Sequence, residues 1–217
     1  IPRTQEHLLV TTNWTADIDR PLSMSHMGDD VAALVEHLEL DQPDLVGYSL
    51  GGGVGLHAAA QHAGVFRRLV LTSAHFRSDA IYPDLRAQQG QVSAAAEPFM
   101  RETPMYELYQ RVAPRPQDFG RLLDKLGASM ADDFDHSDLI GSLTLPTLVM
   151  AGDADMAPPS HFAELFALLG GGQRDGGWMR EGLATGGHAL AIVPAATHYD
   201  VFVSPLWAAN VLHFLDA

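Results

Sequence analysis

The sequence has no cysteine among its 217 residues. Disulfide bridges, thiolate zinc sites and a cysteine nucleophile are therefore excluded as a basis for its fold or its chemistry. Basic residues are also few, with 13 Lys and Arg against 27 Asp and Glu, and the formal net charge is −14 at pH 7. A chain this acidic repels phosphate backbones and anionic lipid surfaces, so we expect neither nucleic acid nor a membrane as its partner.

Long apolar runs are absent as well. No stretch approaches the roughly 20 apolar residues that cross a bilayer, and the opening residues IPRTQEHLLV lack the basic and apolar regions of a signal peptide. We therefore predict a cytoplasmic protein, although the first residue is not methionine and the natural N-terminus is left open. The length suits one substantial core, which predicts a single domain over residues 1–217.

The most informative stretch is DLVGYSLGGGVGLHAAA, residues 44–60, in which an apolar run reaches Ser49 and turns directly into a helical pattern. Residues 47–51 form the motif G-x-S-x-G, in which small residues on either side of the serine let the crossing segments approach. Such a turn exposes the serine hydroxyl above a sheet, with the N–H groups of the helix start behind it. We expect the backbone N–H of Leu50 to stabilise an acyl oxyanion there. Residues 53–58 also fit G-x-G-x-x-A, but they lie inside the predicted helix, which disfavours a dinucleotide-binding loop.

Apolar runs and helical periodicities alternate along the chain, which predicts an α/β fold with a mostly parallel sheet and flanking helices. Residues 75–144, with five prolines and several short helical patterns, interrupt this alternation and predict an inserted helical cap. The predicted strands are 8–12, 44–48, 68–73, 146–151 and 189–193, and the main predicted helices are 25–40, 50–61, 104–112, 118–131, 159–169 and 205–215.

Two further polar positions follow strands, where the ligand sites of parallel sheets lie. Residues 152–155, GDAD, come after one strand, and His198 comes shortly after the last one. A serine hydroxyl needs a histidine base and a carboxylate that orients it, so the order Ser, Asp, His predicts a catalytic triad. Tyr48 and His75, each at the end of a predicted strand, are expected to line the pocket.

On these motifs the sequence resembles the α/β-hydrolase superfamily, and most of all its esterase and enol-lactone hydrolase branch. The resemblance covers residues 22–217, including MGDDVAALVEHLEL before the serine and PTLVMAGDAD after the insertion. It implies a serine hydrolase that cleaves small carboxylic esters through an acyl-enzyme, with no cofactor and no metal. Lactone hydrolysis and carbon–carbon bond cleavage on the same fold are alternatives.

The resemblance also implies the role of each candidate residue. Ser49 is the nucleophile, His198 the base and Asp155 the acid, because the family places its acid three residues after the glycine. Asp153 is then a turn residue whose side chain hydrogen-bonds to its own backbone. Whether Asp153 takes the place of Asp155 as the acid stays open.

The sequence departs from the family at its N-terminal side. The resemblance implies an earlier strand ending in His-Gly, whose loop donates a second oxyanion N–H, and the chain starts too late to contain it. Asn13 or Trp14, in the unusual loop TTNWT of residues 11–15, could replace that donor. Loss of one such donor costs about 10²- to 10³-fold in rate, so a catalytically impaired hydrolase-fold binding protein is a further alternative.

The same departure leads to a prediction about assembly. In the family the missing strand lies between those predicted at residues 8–12 and 44–48, and its absence leaves backbone groups without partners. Direct pairing of these two strands, pairing with another chain, or a further N-terminal segment would each satisfy them. We predict a homo-oligomer, for which a twofold-symmetric dimer is the commonest arrangement.

Overall fold

The structure is a computed structural model, and it describes residues 18–179 and 187–217. Within these ranges four strands form one sheet in the order β1-β2-β3-β4. Every neighbouring pair is parallel, as the alternation of strands and helices predicts. The strands are β1 Leu45–Tyr48, β2 Leu69–Thr72, β3 Thr147–Ala154 and β4 Ala189–Thr197.

The helices follow the predicted periodicities closely, and two of them, α2 and α5, have the predicted bounds. The α-helices of the described residues are α1 Met24–His37, α2 Leu50–Gln61, α3 Pro83–Gln89, α4 Glu97–Met100, α5 Pro104–Val112, α6 Phe119–Ala131, α7 Ser137–Gly141, α8 Pro159–Leu168 and α9 Pro205–Asp216. No helix in the described part of the chain has both the length and the apolar character that a bilayer span requires.

Two strands are longer than predicted, and the difference matters for the site. β3 continues through Ala154 and β4 continues through Pro194 to Thr197. A proline is tolerated in β4 because, within the described sheet, this strand lies at the edge, where a missing N–H leaves no ladder partner unsatisfied. The two extensions bring Asp155 and His198 directly to the carboxyl ends of their strands.

The described residues form two compact units. The first consists of Met24–Ile81 and Phe134–Ala217 and contains the sheet. The second consists of residues 18–23 and Tyr82–Asp133 and is helical, with a small core of its own. In that core the rings of Tyr106 and Tyr109 lie 4.9 and 5.1 Å from the ring of Phe119. The single-domain assignment with a cap over about residues 75–144 stays a prediction.

The sheet of the first unit is buried on both faces. Alternate residues of β2 belong to two different apolar clusters, Leu69 and Leu71 to one and Val70 to the other. The first cluster joins β2 to residues of α1, α2 and α8, and the second joins it to α9. Strands covered on both faces read as continuous apolar runs in the sequence, which is why RLVLTS was recognisable as a strand.

Part of the prediction lies outside the described residues. This applies to the strand at residues 8–12 and to the candidate oxyanion residues Asn13 and Trp14. The gap in the sheet and the homo-oligomer therefore stay predictions.

Candidate active site

Ser49 occupies the turn that joins β1 to α2. Its backbone has φ 54° and ψ −122°, a left-handed conformation that is strained for a residue with a side chain. A serine at the start of a helix usually accepts a hydrogen bond from a backbone N–H of the first turn, but Ser49 makes no such capping bond. Its hydroxyl is therefore available to a partner outside the helix.

Glycines allow this turn to close. A Cβ atom on Gly47 would collide with the backbone of Gly51, and a Cβ atom on Gly52 would lie 2.5 Å from the Cβ of Ala74. A Cβ atom on Gly51 would meet no described atom within 4 Å. The prediction that the motif glycines let the crossing segments approach is confirmed for Gly47, and a further close approach falls at Gly52.

The structure brings together the three residues predicted for the triad. The Oγ atom of Ser49 lies 2.9 Å from Nε2 of His198, and Nδ1 of His198 lies 2.8 Å from Oδ1 of Asp155. Because Asp155 only accepts when ionised, Nδ1 of His198 carries the imidazole proton and donates it to this carboxylate. Nε2 is then the acceptor for the hydroxyl of Ser49. This arrangement can carry a proton from the serine to the imidazole.

Asp155 is buried and receives four hydrogen bonds. His198 Nδ1–H and the N–H of Met156, at 2.7 Å, donate to Oδ1. The hydroxyl of Ser73, at 2.5 Å, and the N–H of Gly152, at 3.3 Å, donate to Oδ2. Burial raises the pKa of the Asp155 carboxyl, but the hydrogen bonds from His198 and Ser73 outweigh burial and hold this pKa below its usual value. The carboxylate is therefore ionised at neutral pH.

Asp153, the alternative acid, lies elsewhere. It is exposed, and its Oδ1 accepts a hydrogen bond from the N–H of Ala196 at 3.2 Å. That bond links β3 to β4 where their register shifts, between Gly152 and Ala154. The expectation that Asp153 bonds its own backbone is therefore wrong, because the extension of β4 places a free N–H of the neighbouring strand within its reach.

Ser73 is a site residue that the sequence pattern does not single out. It follows the last residue of β2, is fully buried, has a positive φ of 51°, and donates to the carboxylate of Asp155. The available signal was its position, since it is a polar residue at the carboxyl end of a strand, as Asp155 is. Among serines and threonines in apolar runs, that signal alone is weak.

Tyr48, predicted to line the pocket, supports His198. Its hydroxyl donates to the backbone carbonyl of His198, and its ring lies 5.4 Å from the His198 ring and 4.8 Å from the ring of Phe202. Burial, together with the negative charge of Asp155, raises the pKa of the Tyr48 phenol to about 12, so that it stays a donor at neutral pH. A pocket role for Tyr48 stays a prediction.

His75 lies beside the same carboxylate. Its side chain is only 10% exposed, and its Nε2 is 3.9 Å from Oδ1 of Asp155. This nitrogen has no hydrogen-bond partner within residues 18–179 and 187–217. Its ring centroid is 5.9 Å from that of His198, at an interplanar angle of 17°. Burial lowers the pKa of His75 to about 4, so its approach to Asp155 is not an ion pair at neutral pH. Pocket lining by His75 stays a prediction.

His75 and the neighbouring His161 predict that the protein loses stability in mild acid. Burial lowers the pKa of each imidazole to about 4, whereas in the unfolded chain both take up a proton near pH 6.5. Between these values the unfolded chain binds more protons, so the free energy of unfolding falls as the pH falls from about 6.5 to about 4. We expect a loss of about 2 kcal/mol per histidine, measured by urea unfolding across this pH range.

The His75→Phe variant isolates one of these two contributions. Phenylalanine keeps the ring contacts and removes a nitrogen that makes no hydrogen bond in the described part of the chain. This variant should therefore lose about half as much stability as the parent over the same pH range. Replacement of the exposed His213 by glutamine is the matched control and should leave the pH dependence unchanged. An identical pH dependence in the parent and in the His75→Phe variant would contradict the assignment.

The chain is similar to known hydrolases in sequence and in fold. A family model described as the alpha/beta hydrolase fold matches residues 11–100. The chain is 29% identical to the putative carbamate hydrolase RutD of Serratia proteamaculans, over 78% of this chain and 67% of that protein. It is 27% identical to the pimeloyl-[acyl-carrier protein] methyl ester esterase of Neisseria meningitidis, over 67% of this chain and 62% of that protein. A thermophilic esterase from Thermogutta terrifontis has a similar fold, with a TM-score of 0.61 and 22% identity over 90% of this chain and 72% of that one.

Proposed function

We propose that the chain is a serine hydrolase of the α/β-hydrolase superfamily and that it cleaves small carboxylic esters through an acyl-enzyme, a proposal that its relatives and its fold support. The observation that carries the proposal is the continuous relay from Ser49 through His198 to Asp155, with contacts of 2.9 and 2.8 Å. The relative named as a methyl ester esterase supports esters as the substrate class.

The reaction follows from the direction of the hydrogen bonds. Oγ of Ser49 attacks the ester carbonyl carbon while its proton passes to Nε2 of His198, and the ionised Asp155 stabilises the imidazolium that forms. When the tetrahedral intermediate collapses, the same proton goes from Nε2 to the leaving alcohol, and the acyl group stays on Ser49. Water then attacks the acyl carbonyl while Nε2 of His198 accepts one of its protons. This proton passes to Oγ of Ser49 as the bond to the acyl group breaks and the acid is released. Every proton transfer uses these side chains, so the proposal needs no cofactor.

The start of α2 supplies the proposed oxyanion donor. The N–H groups of Gly52 and Gly53 bond to the carbonyl of Ser49, at 2.9 and 3.2 Å. Leu50 precedes them in the first turn, where an N–H group has no acceptor within the helix. The positive end of the helix dipole also attracts negative charge and so strengthens the interaction of the Leu50 N–H group with an oxyanion. We propose Leu50 N–H as one oxyanion donor; Asn13 and Trp14, the sequence-based candidates for the second, lie outside the described residues.

Carbamates are a second candidate substrate class, favoured by the relatives named putative carbamate hydrolases. A carbamate carbonyl undergoes the same attack and forms the same kind of oxyanion, so the relay serves both classes. Lactones would react in the same way, with the leaving alcohol still joined to the acyl group. The shape of the acyl pocket therefore decides among these substrates.

A substrate series with a covalent probe tests the proposal. We expect a rapid burst of p-nitrophenol from short-chain p-nitrophenyl esters, followed by slower turnover, because acylation of Ser49 precedes hydrolysis of the acyl-enzyme. Varying the acyl length and including a p-nitrophenyl carbamate ranks the substrate classes. An organophosphonate should label Ser49 stoichiometrically, as located by mass spectrometry. Absence of both burst and label would instead support the catalytically impaired binding protein.

A further inference from the structure

The carboxylate of Asp155 lies close to imidazole nitrogens of two histidines, His75 and His198. His75, Asp155 and His198 each offer one ligand atom, and these atoms all lie within 4.8 Å of one another. Oδ1 of Asp155 is 2.8 Å from Nδ1 of His198 and 3.9 Å from Nε2 of His75. Two imidazole nitrogens and a carboxylate oxygen form a donor set that binds zinc and other borderline transition-metal dications.

We propose that His75, Asp155 and His198 form an inhibitory site for a transition-metal dication of the Zn²⁺ class. Binding requires only these three side chains. Inhibition rests, in addition, on the proposed hydrolase function, because it acts through His198.

His75 is the residue that makes this site more than a triad. Its Nε2 is buried and has no hydrogen-bond partner among the described residues, although leaving a buried polar atom unpaired is destabilising. The triad does not need it, since Asp155 already accepts four hydrogen bonds. A metal ion between the three side chains would supply the missing partner of His75.

Two of the three separations between ligand atoms require only small adjustments, and the third is at most 4.8 Å. Ligand atoms that lie 2.0–2.2 Å from a tetrahedral zinc ion are about 3.3–3.5 Å from one another. The 3.9 Å separation between His75 and Asp155 must shorten, and the 2.8 Å separation between His198 and Asp155 must lengthen, each by about half an ångström.

Metal binding and base catalysis exclude each other at His198. A metal on Nδ1 requires that nitrogen to lose its proton, and the neutral imidazole then carries its proton on Nε2. Nε2–H faces Oγ of Ser49 and can only donate to it, so it cannot accept the hydroxyl proton. The carboxylate of Asp155, bound to the same metal ion, would then no longer accept a hydrogen bond from His198 and orient its ring. Occupancy of the site therefore predicts loss of nucleophile activation.

The test titrates the EDTA-treated protein with buffered Zn²⁺ and follows two quantities. Binding is measured directly by competition with a chromophoric chelator, and inhibition is measured on p-nitrophenyl ester hydrolysis relative to the rate of the same variant in EDTA. We expect one high-affinity ion per chain, inhibition that EDTA reverses, and no inhibition by Mg²⁺, which prefers an all-oxygen shell.

His75→Phe should raise both the dissociation constant and the inhibition constant for Zn²⁺ by at least about tenfold. His62→Asn is the matched control, because His62 forms the surface pair with Asp29 at 2.8 Å and should not affect either constant. Circular dichroism checks the fold, and His75→Gln serves as a second variant if the first does not fold.

The two measurements separate the two proposals. Zn²⁺ binding that depends on His75 in a protein without esterase activity would uphold the metal site and remove the proposed function. Equal Zn²⁺ binding by the parent and both His75 variants would overturn the metal site, whatever the activity.

Discussion

Replacing Ser49 with alanine is expected to lower the turnover of a short p-nitrophenyl ester by about 10⁴- to 10⁶-fold, with the fold intact. The loss is large because, in the proposed mechanism, the Oγ atom of Ser49 attacks the ester and its hydroxyl donates to Nε2 of His198. The fold survives because this hydroxyl does not cap α2 and makes no contact that the helix needs. Initial rates, with circular dichroism and urea unfolding of the same samples, measure the two effects.

Two further serine variants sharpen this experiment. Ser49→Gly should be equally inactive but more stable than Ser49→Ala by about 1 kcal/mol, because glycine relieves the cost of a positive φ. Ser142→Ala removes an exposed hydroxyl that donates to the carbonyl of Leu139, and it should keep full activity. Retained turnover in Ser49→Ala would exclude this serine as the nucleophile.

Much of this architecture could be predicted because local patterns and strand ends decide it. Apolar runs covered on both faces mark β2 and β3, and the glycine-flanked serine marks the β1–α2 turn. Since the strands are parallel, the residues that follow β3 and β4 must meet at the same edge of the sheet as Ser49. Asp155 and His198 could therefore be placed near the serine without any structure.

Other features depend on contacts that sequence spacing does not reveal. Ser73 reaches Asp155 through a positive φ at the end of β2, and no residue pattern specifies that conformation here. The extension of β4 past Pro194 depends on its position at the edge of the described sheet. His75, Asp155 and His198 follow three different strands, so they lack the short ligand spacing by which metal sites are usually recognised.

Asp155→Asn is expected to lower turnover by about 10⁴-fold, with a much smaller effect on the affinity for the substrate. All four hydrogen bonds at this side chain run toward the carboxylate, from Nδ1 of His198, from Met156 and Gly152 N–H, and from the hydroxyl of Ser73. An amide can accept on one side only, because its nitrogen is a donor. If that nitrogen faces His198, Nδ1 of the imidazole must be the acceptor and the proton must lie on Nε2. The imidazole can then no longer accept a hydrogen bond from Ser49.

If the amide oxygen faces His198 instead, the tautomer is kept but the negative charge that stabilises the imidazolium is lost, so both orientations slow acylation. Asp153→Asn is the matched control, since its Oδ1 only accepts from the N–H of Ala196 and an amide oxygen can do the same. It should turn over esters at close to the parental rate. Comparison of kcat and KM for the two variants decides between the carboxylates, because an equal loss in Asp153→Asn would mean that the proton relay does not depend specifically on Asp155.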